Sequence, residues 1–553
     1  MLVCGRLLYV QVIWGEDLQK KAIDQWTREI PVVARRGKIT DRNGVVLADN
    51  DDTYTVFVRK RAVENVENVT QVLSETLDME YEYVYDRLTK TVSSEVTVKK
   101  QVPKDKTDKI LSYGFNGVYC SRDNSRIYPY NELLSTVLGF TSTDGKGQSG
   151  LELFYDKYLS GINGEVLYET DIVGVEIDGK TAEYIPAQNG FNIQLTIDYD
   201  VQQLVEAAMQ EAYEIHNAKT AEMIVLDPQS GEILAMCSKP SLNLNDIPRN
   251  DTALLNSLNR VGLICDIYEP GSTFKILTAA ANIEEYLQGN KNAYSENHVF
   301  SSSRYRYIDG QKIKCWSDHK NGKHSALTLQ GGLNNSCNPI FVDIAMSLGK
   351  ETMYKYLRAF NYGTVTGVDF NGEAQGMVLP LSCVQNVDLA RIAFGQTVAV
   401  TGLQLASATA AAVNGGKYYT PHLVRKIYAD DNLVCENIQP QVKNRTISEK
   451  ASTILSKMLE KVVSEGSGKH AYIEGYKVAG KTGTAQKYEN GVIAVGKYVS
   501  SFVGYFPADK PQYLALVIVD EPEGQYYGST VAAPYAKQVF EGIIKVKGLK
   551  PFE

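Results

Sequence analysis

Apolar positions recur along this chain on two different periods, and the changes of period mark its elements. The opening stretch MLVCGRLLYVQVIWG (1–15) is mostly apolar, interrupted by Arg6, and shorter than the roughly twenty residues that span a bilayer. No small-residue cleavage site follows it, so it reads as the remnant of an N-terminal membrane anchor rather than a removable leader, with a buried helix as the alternative. From residue 16 the chain passes from a helix-like stretch to β-rich segments, where Asn43-Gly44 signals a hairpin. Residues 60–110 alternate charged helical patches with short β runs, which makes 16–185 one elongated α+β unit. Beyond the Pro/Gly/Asn loop in YIPAQNGFNIQLTID, Val201, Leu204, Val205, Ala208, Met209, Ala212 and Ile215 share one helical face behind a capping Asp198. AEMIVLDP and EILAMCSKP, joined by QSG, predict an antiparallel hairpin, as do SSFVGYFP and QYLALVIVDEP. Helix, hairpin, further helices and late strands define an α+β domain over 195–548 rather than alternating βαβ units.

With 44% hydrophobic and 22% charged residues, 553 residues can bury the cores of several domains. A net charge of −8 argues against a nucleic-acid partner, because phosphate neutralisation needs clustered Lys and Arg. Eight cysteines show no repeated C-x-x-C spacing. CWSDHKNGKH brings Cys315, His319 and His324 near one another, but three donors at irregular spacing do not define a metal site. No metal and no cofactor is expected.

Three short motifs carry the chemistry. In YEPGSTFKILTAAANIEE, Pro270-Gly271 breaks the chain before an apolar helical run, placing Ser272 at a helix start and Lys275 one turn on. A serine hydroxyl becomes a nucleophile when a desolvated lysine accepts its proton. The second motif, Ser336-Cys337-Asn338, offers a hydroxyl to relay protons and an amide to bind a peptide. The third, Lys481-Thr482-Gly483-Thr484, offers a cation and hydroxyls for a carboxylate, and Gly483 allows close backbone approach. Its surroundings, GYKVAGKTGTAQK (475–487), also spell a phosphate-binding loop, and YLALVIVDEP would supply a Walker B strand. HAYIEG is not the apolar strand that loop requires before it, nor is TGTAQKYENG the helix it requires after it, so a P-loop ATPase is a distant alternative.

In this order the motifs resemble those of the class B penicillin-binding proteins, the monofunctional transpeptidases of division and sporulation. RRGKITDRNGVVLA (35–48), SGLELFYDKYLSGINGE (149–165), LTIDYDVQQLVE (195–206), LDPQSGEILAM (226–236) and AFGQTVAVTGLQLASATAAAVNGG (393–416) extend the likeness over nearly the whole chain. The resemblance implies a β-lactamase/transpeptidase-like domain on a non-catalytic pedestal, with the catalytic domain outside the cell membrane on a single N-terminal anchor. It implies that Ser272 is acylated, Lys275 is its base, and Ser336 passes the proton to the leaving D-alanine. Asn338 would bind the donor peptide, and Lys481, Thr482 and Thr484 its terminal carboxylate beside Gly483. The backbone N–H groups of Ser272 and Thr484 would form the oxyanion hole. The implied partners are peptidoglycan stem peptides, β-lactam antibiotics and a membrane-embedded glycosyltransferase of the division or sporulation machinery.

Cys337 stands where class A β-lactamases carry aspartate, a departure that weakens the hydrolase reading. Cys315 and Cys337 could pair as a disulfide that distorts the site, and the sporulation relatives resemble this chain in that pair as well. A β-lactam-binding sensor or scaffold and a D,D-carboxypeptidase or β-lactamase remain as alternatives.

Overall fold

The computed structural model describes residues 2–15, 18, 27–170, 176–319, 324, 327–489 and 492–551. Its fold is α+β, built as expected from an extended N-terminal part and a sheet-and-helix domain. The opening segment forms a helix, Leu2–Val12, and among the described residues no helix is long and apolar enough to cross a membrane.

The N-terminal part is organised around one long strand, Val46–Arg59, which pairs antiparallel with Val118–Ile127 and Glu95–Val102. Helices Val66–Leu77 and Tyr81–Lys90 present Val69, Leu73, Leu77, Val84 and Leu88 to that sheet, closing a separate apolar core. Asn43-Gly44 does form a hairpin: Ile39–Thr40 pairs antiparallel with the start of the long strand, and Gly44 takes φ 91° in the turn. Ile39–Thr40 also pairs in parallel with Asn192–Leu195, which pairs with Val424–Tyr428, so one seven-stranded sheet runs across the boundary near 185–195.

An ionic cluster ties segments within the N-terminal part. Glu152 is fully buried and accepts from Arg36 Nε and Arg126 Nε at 2.6 Å each, while Arg36 also reaches Asp156 at 2.7 Å. Two of the family-like stretches, RRGKITDRNG and SGLELFYDKYLSG, are thereby held against each other by charge-assisted bonds in a dry setting.

The C-terminal domain carries a five-stranded antiparallel sheet in the order Ile233–Lys239, Thr220–Leu226, Tyr513–Asp520, Val492–Phe506, Ala479–Glu489. Both hairpins read from the pattern are present. Ile233–Lys239 is buried at all seven positions, and its first five residues, ILAMC, are a continuous apolar run. Helices Tyr199–Ile215 and Ala533–Lys547 cover one face, joined where Lys547 pairs with the capping Asp198 at 2.8 Å. Ile215, expected on the buried stripe, is 65% exposed because the helix ends there and its last turn projects past the sheet. On the other face lie the helices Lys275–Leu287 and Gly402–Val413, the second buried at every position. The GKTGT segment lies inside the edge strand Ala479–Glu489, so it forms no phosphate loop and the P-loop alternative falls.

Candidate active site

Pro270 and Gly271 turn the chain so that a short 3-10 turn, Gly271–Phe274, runs directly into the helix Lys275–Leu287. The Gly271 amide donates to the Gly395 carbonyl at 3.0 Å. A Cβ at Gly395 would lie 2.1 Å from the Gly271 oxygen, and its φ is +81°, so glycine is required there. The AFGQT stretch therefore serves as the backing of the turn that carries Ser272.

Lys275 is fully buried, and its Nζ lies 3.0 Å from Ser272 Oγ, 2.8 Å from Ser336 O, 3.1 Å from Ser336 Oγ and 2.7 Å from Asn338 Oδ1. An ammonium has three protons for these four oxygens. One hydroxyl contact is thus free to reverse, with Ser272 Oγ–H donating to a neutral amine. Desolvation lowers the Lys275 pKa to about 8, offset in part by the thiols of Cys315 and Cys337.

Lys481 is equally buried and donates to Ser336 Oγ at 3.0 Å and to its neighbour Thr482 O at 3.1 Å. Burial, and after it the charge of Lys275, holds the Lys481 pKa well below the usual lysine range. Ser336 stands between the two amines in a left-handed backbone conformation, φ 51°, just before the helix Asn338–Leu348. Trp316 Nε1 donates to the carbonyls of Asn335 and Ser336 at 3.1 Å each, which anchors that turn from the solvent side.

These groups meet at a cleft of about 570 Å³ lined by Ser272, Ser336, Asn338, Thr482, Gly483 and Thr484. Lys275 and Lys481 are fully buried and are not among the residues that line it, whereas Thr482 and Thr484 are. Gly483 is forced by packing: a Cβ there would sit 2.4 Å from Ser501 Oγ and 2.9 Å from Thr273 Cγ2. Thr484 Oγ1 accepts from the Gly528 amide at 3.0 Å, which orients its hydroxyl proton elsewhere.

The sequence reading passed over the aromatic rim. Trp316, 58% exposed, meets Tyr527 edge to face at 6.5 Å, and Tyr498 stacks on Tyr526 at 4.1 Å. The tyrosine pair inside the glycine-flanked GQYYGST was the available signal, since aromatics in a polar loop seldom serve a core. Cys315 and Cys337 are both buried, unbonded and close enough to share a proton. The Cys337 thiol and the two nearby imidazoles hold the Cys315 thiol down; the Cys315 thiolate in turn, with burial, pushes Cys337 up.

A fold of this kind, with a serine at the head of a buried helix, a lysine one turn on and an edge strand across the cleft, defines a serine acyl-transferase site. The penicillin-binding protein transpeptidase domain matches residues 222–541 and the penicillin-binding protein dimerisation domain matches residues 31–195. The chain belongs to this family: it is a peptidoglycan D,D-transpeptidase that binds penicillin and acts in cell-wall synthesis at division or sporulation. It is 38% identical to stage V sporulation protein D of Bacillus subtilis, over all of this chain and 84% of the relative. Peptidoglycan D,D-transpeptidase FtsI of Escherichia coli is 28% identical over 99% of this chain and 90% of its own length. Among solved structures, a peptidoglycan synthetase from Bifidobacterium adolescentis superposes with a TM-score of 0.76 at 25% identity, covering 95% of this chain and 98% of that one.

Proposed function

We propose that Ser272 is the acylated residue and that Lys275 removes its proton. Ser272 Oγ attacks the carbonyl of the penultimate residue of a stem peptide, and Lys275 Nζ takes the hydroxyl proton. The resulting oxyanion is held by the backbone N–H groups of Ser272 and Thr484, each such donor lowering a barrier by about 3–4 kcal/mol. As the C–N bond to the terminal D-alanine breaks, Ser336 Oγ, between the two lysines, carries the proton to the leaving amine. A second stem-peptide amine then attacks the ester, and Ser272 regains its proton.

Asn338 binds the donor backbone, while Thr482 and Thr484 hold the terminal carboxylate beside Gly483. Lys481 acts on that carboxylate at longer range and keeps Ser336 oriented. The observation that carries the assignment is the 3.0 Å contact between Ser272 Oγ and a fully desolvated amine. The 38% identity to a sporulation protein, against 28% to the Escherichia coli transpeptidase, favours a sporulation role. On this reading residues 1–15 belong to a membrane anchor, 16–185 form a pedestal and 195–548 the catalytic domain. The same reading puts the catalytic domain outside the cell membrane, beside a membrane-embedded glycosyltransferase. Fluorescent penicillin should label the protein covalently at Ser272, and the label should be absent from Ser272→Ala. An adduct that survives in Ser272→Ala refutes the assignment; rapid release of label from wild type would turn it toward a β-lactamase.

A further inference from the structure

The segment that follows the hairpin Tyr305–Lys314 carries Cys315 and His319, and His324 lies beside them and Cys337. One ligand atom from each of Cys315, His319, His324 and Cys337 lies within 4.8 Å of the other three. Zinc bonds of about 2.3 Å to sulfur and 2.0–2.1 Å to nitrogen put tetrahedral ligands roughly 3.3–3.8 Å apart, so a contraction of about an ångström closes the site. Cys337 Sγ and His319 Nε2 are already at 3.8 Å.

Independent features mark these side chains as ligands. His319 Nδ1 is 2.8 Å from the Ser302 carbonyl, the outer hydrogen bond that fixes a tautomer and leaves the Nε2 lone pair free for a metal. His324 is 4% exposed, yet its Nδ1 has no hydrogen-bond partner among the described residues. The two imidazole rings stack at 4.3 Å. Both histidines hold positive φ, 56° and 67°, a conformation that costs energy unless something fixes it.

We propose that Cys315, His319, His324 and Cys337 form a tetrahedral zinc site that fixes the Ser336-Cys337-Asn338 turn. The donor set is thiolate and imidazole with no carboxylate, which suits Zn²⁺ rather than Mg²⁺ or Ca²⁺. Four protein ligands leave no open position, so the ion is structural and does not activate water. It ties the loop after the hairpin to the serine turn: Cys337 lies between Ser336 and Asn338, and Trp316, next to Cys315, holds the Ser336 carbonyl. In an oxidising compartment, zinc would also protect both thiolates from pairing.

The test uses the full chain purified without a chelator or a histidine tag. Elemental analysis should find about one zinc per chain, as for other closed thiolate-imidazole sites. Cobalt(II) exchanged into the protein should give tetrahedral ligand-field bands with thiolate charge transfer. Cys315→Ser/His324→Ala should lose the ion, whereas Ser272→Ala should retain it. Chelation should lower the Tm of wild type, and added zinc should restore it. Wild type that binds neither zinc nor cobalt under reducing conditions overturns the proposal. So does a double variant that keeps the metal, or a Cys315–Cys337 disulfide in the freshly isolated protein. Should the double variant not fold, the cobalt spectrum of wild type alone decides.

Discussion

If Lys275 is the base, acylation must titrate with its amine. At a pKa of about 8, roughly one lysine in ten is neutral at pH 7, against about three in ten thousand for an ordinary lysine. Burial therefore supplies about 300 times more of the reactive form at neutral pH, equivalent to about 3 kcal/mol. The second-order rate of acylation by a labelled penicillin, followed by stopped flow, should rise about tenfold per pH unit below 8 and level off above it. From pH 6 to pH 9 the neutral fraction, and so the rate, should grow by about 90-fold. Lys275→Arg keeps a cation but removes the base, and should slow acylation by about 10²–10⁴ while flattening the profile. Because Lys481 shares Ser336 Oγ with Lys275, the inflection belongs to the pair, and Lys481→Gln should move it. A wild-type rate independent of pH from 6 to 9, or an inflection near 8 that survives in Lys275→Arg, would refute the role.

The remaining tests address packing and stability. Glu152→Ala leaves Arg126 without a carboxylate and Arg36 with Asp156 alone, and should cost about 3–5 kcal/mol, seen as a lower Tm; an unchanged Tm counts against the cluster as a fastener. Gly483→Ala drives a methyl into Ser501 and Thr273 and should reduce penicillin labelling at least tenfold with little change in fold by circular dichroism. Desolvation raises the buried Glu222 to about 7 from the ordinary 4.5, so the folded state keeps a proton that the unfolded chain loses. Its stability contribution is present below about pH 4.5 and falls by about 3 kcal/mol as pH rises through 7. Glu222→Gln should remove that slope from urea midpoints measured between pH 5 and pH 8; an identical slope would place it elsewhere.

Periodicity exposed the elements that are covered on one side or bounded by clear turns. The Tyr199–Ile215 helix with its Asp198 cap and both late hairpins were readable in this way. What the pattern could not reveal was pairing between strands distant in sequence. Ile39–Thr40 beside Asn192–Leu195 is two residues long, too short for any period, yet it joins the two halves of the chain. In the site, S-x-x-K and the lysine-threonine motif were legible because local spacing sets them on a helix turn and a strand. The four converging donors at Cys315, His319, His324 and Cys337 were not, because Cys337 comes from another element and the loop spacing is irregular. Three donors in a row looked insufficient; the fourth is contributed only by the fold.

The phosphate-loop spelling and the transpeptidase motif draw opposite uses from the same glycines. In a phosphate loop the glycines free backbone amides to curl around an anion; here Gly480 and Gly483 lie flat in a strand, where a side chain would strike Val503, Phe502 or Ser501. That strand is the edge of its sheet, paired with Val492–Phe506 on one side only. An unpaired edge is an aggregation liability unless something covers it. In this domain the open edge borders the cleft that holds Ser272, so an extended peptide can add to it through main-chain hydrogen bonds. On the proposed reading the sheet orients a substrate along Thr482–Thr484 while the buried helix behind it supplies Ser272 and Lys275. Strand order decides this: were the motif on the central strand Tyr513–Asp520, both edges would be occupied and the same residues could bind nothing.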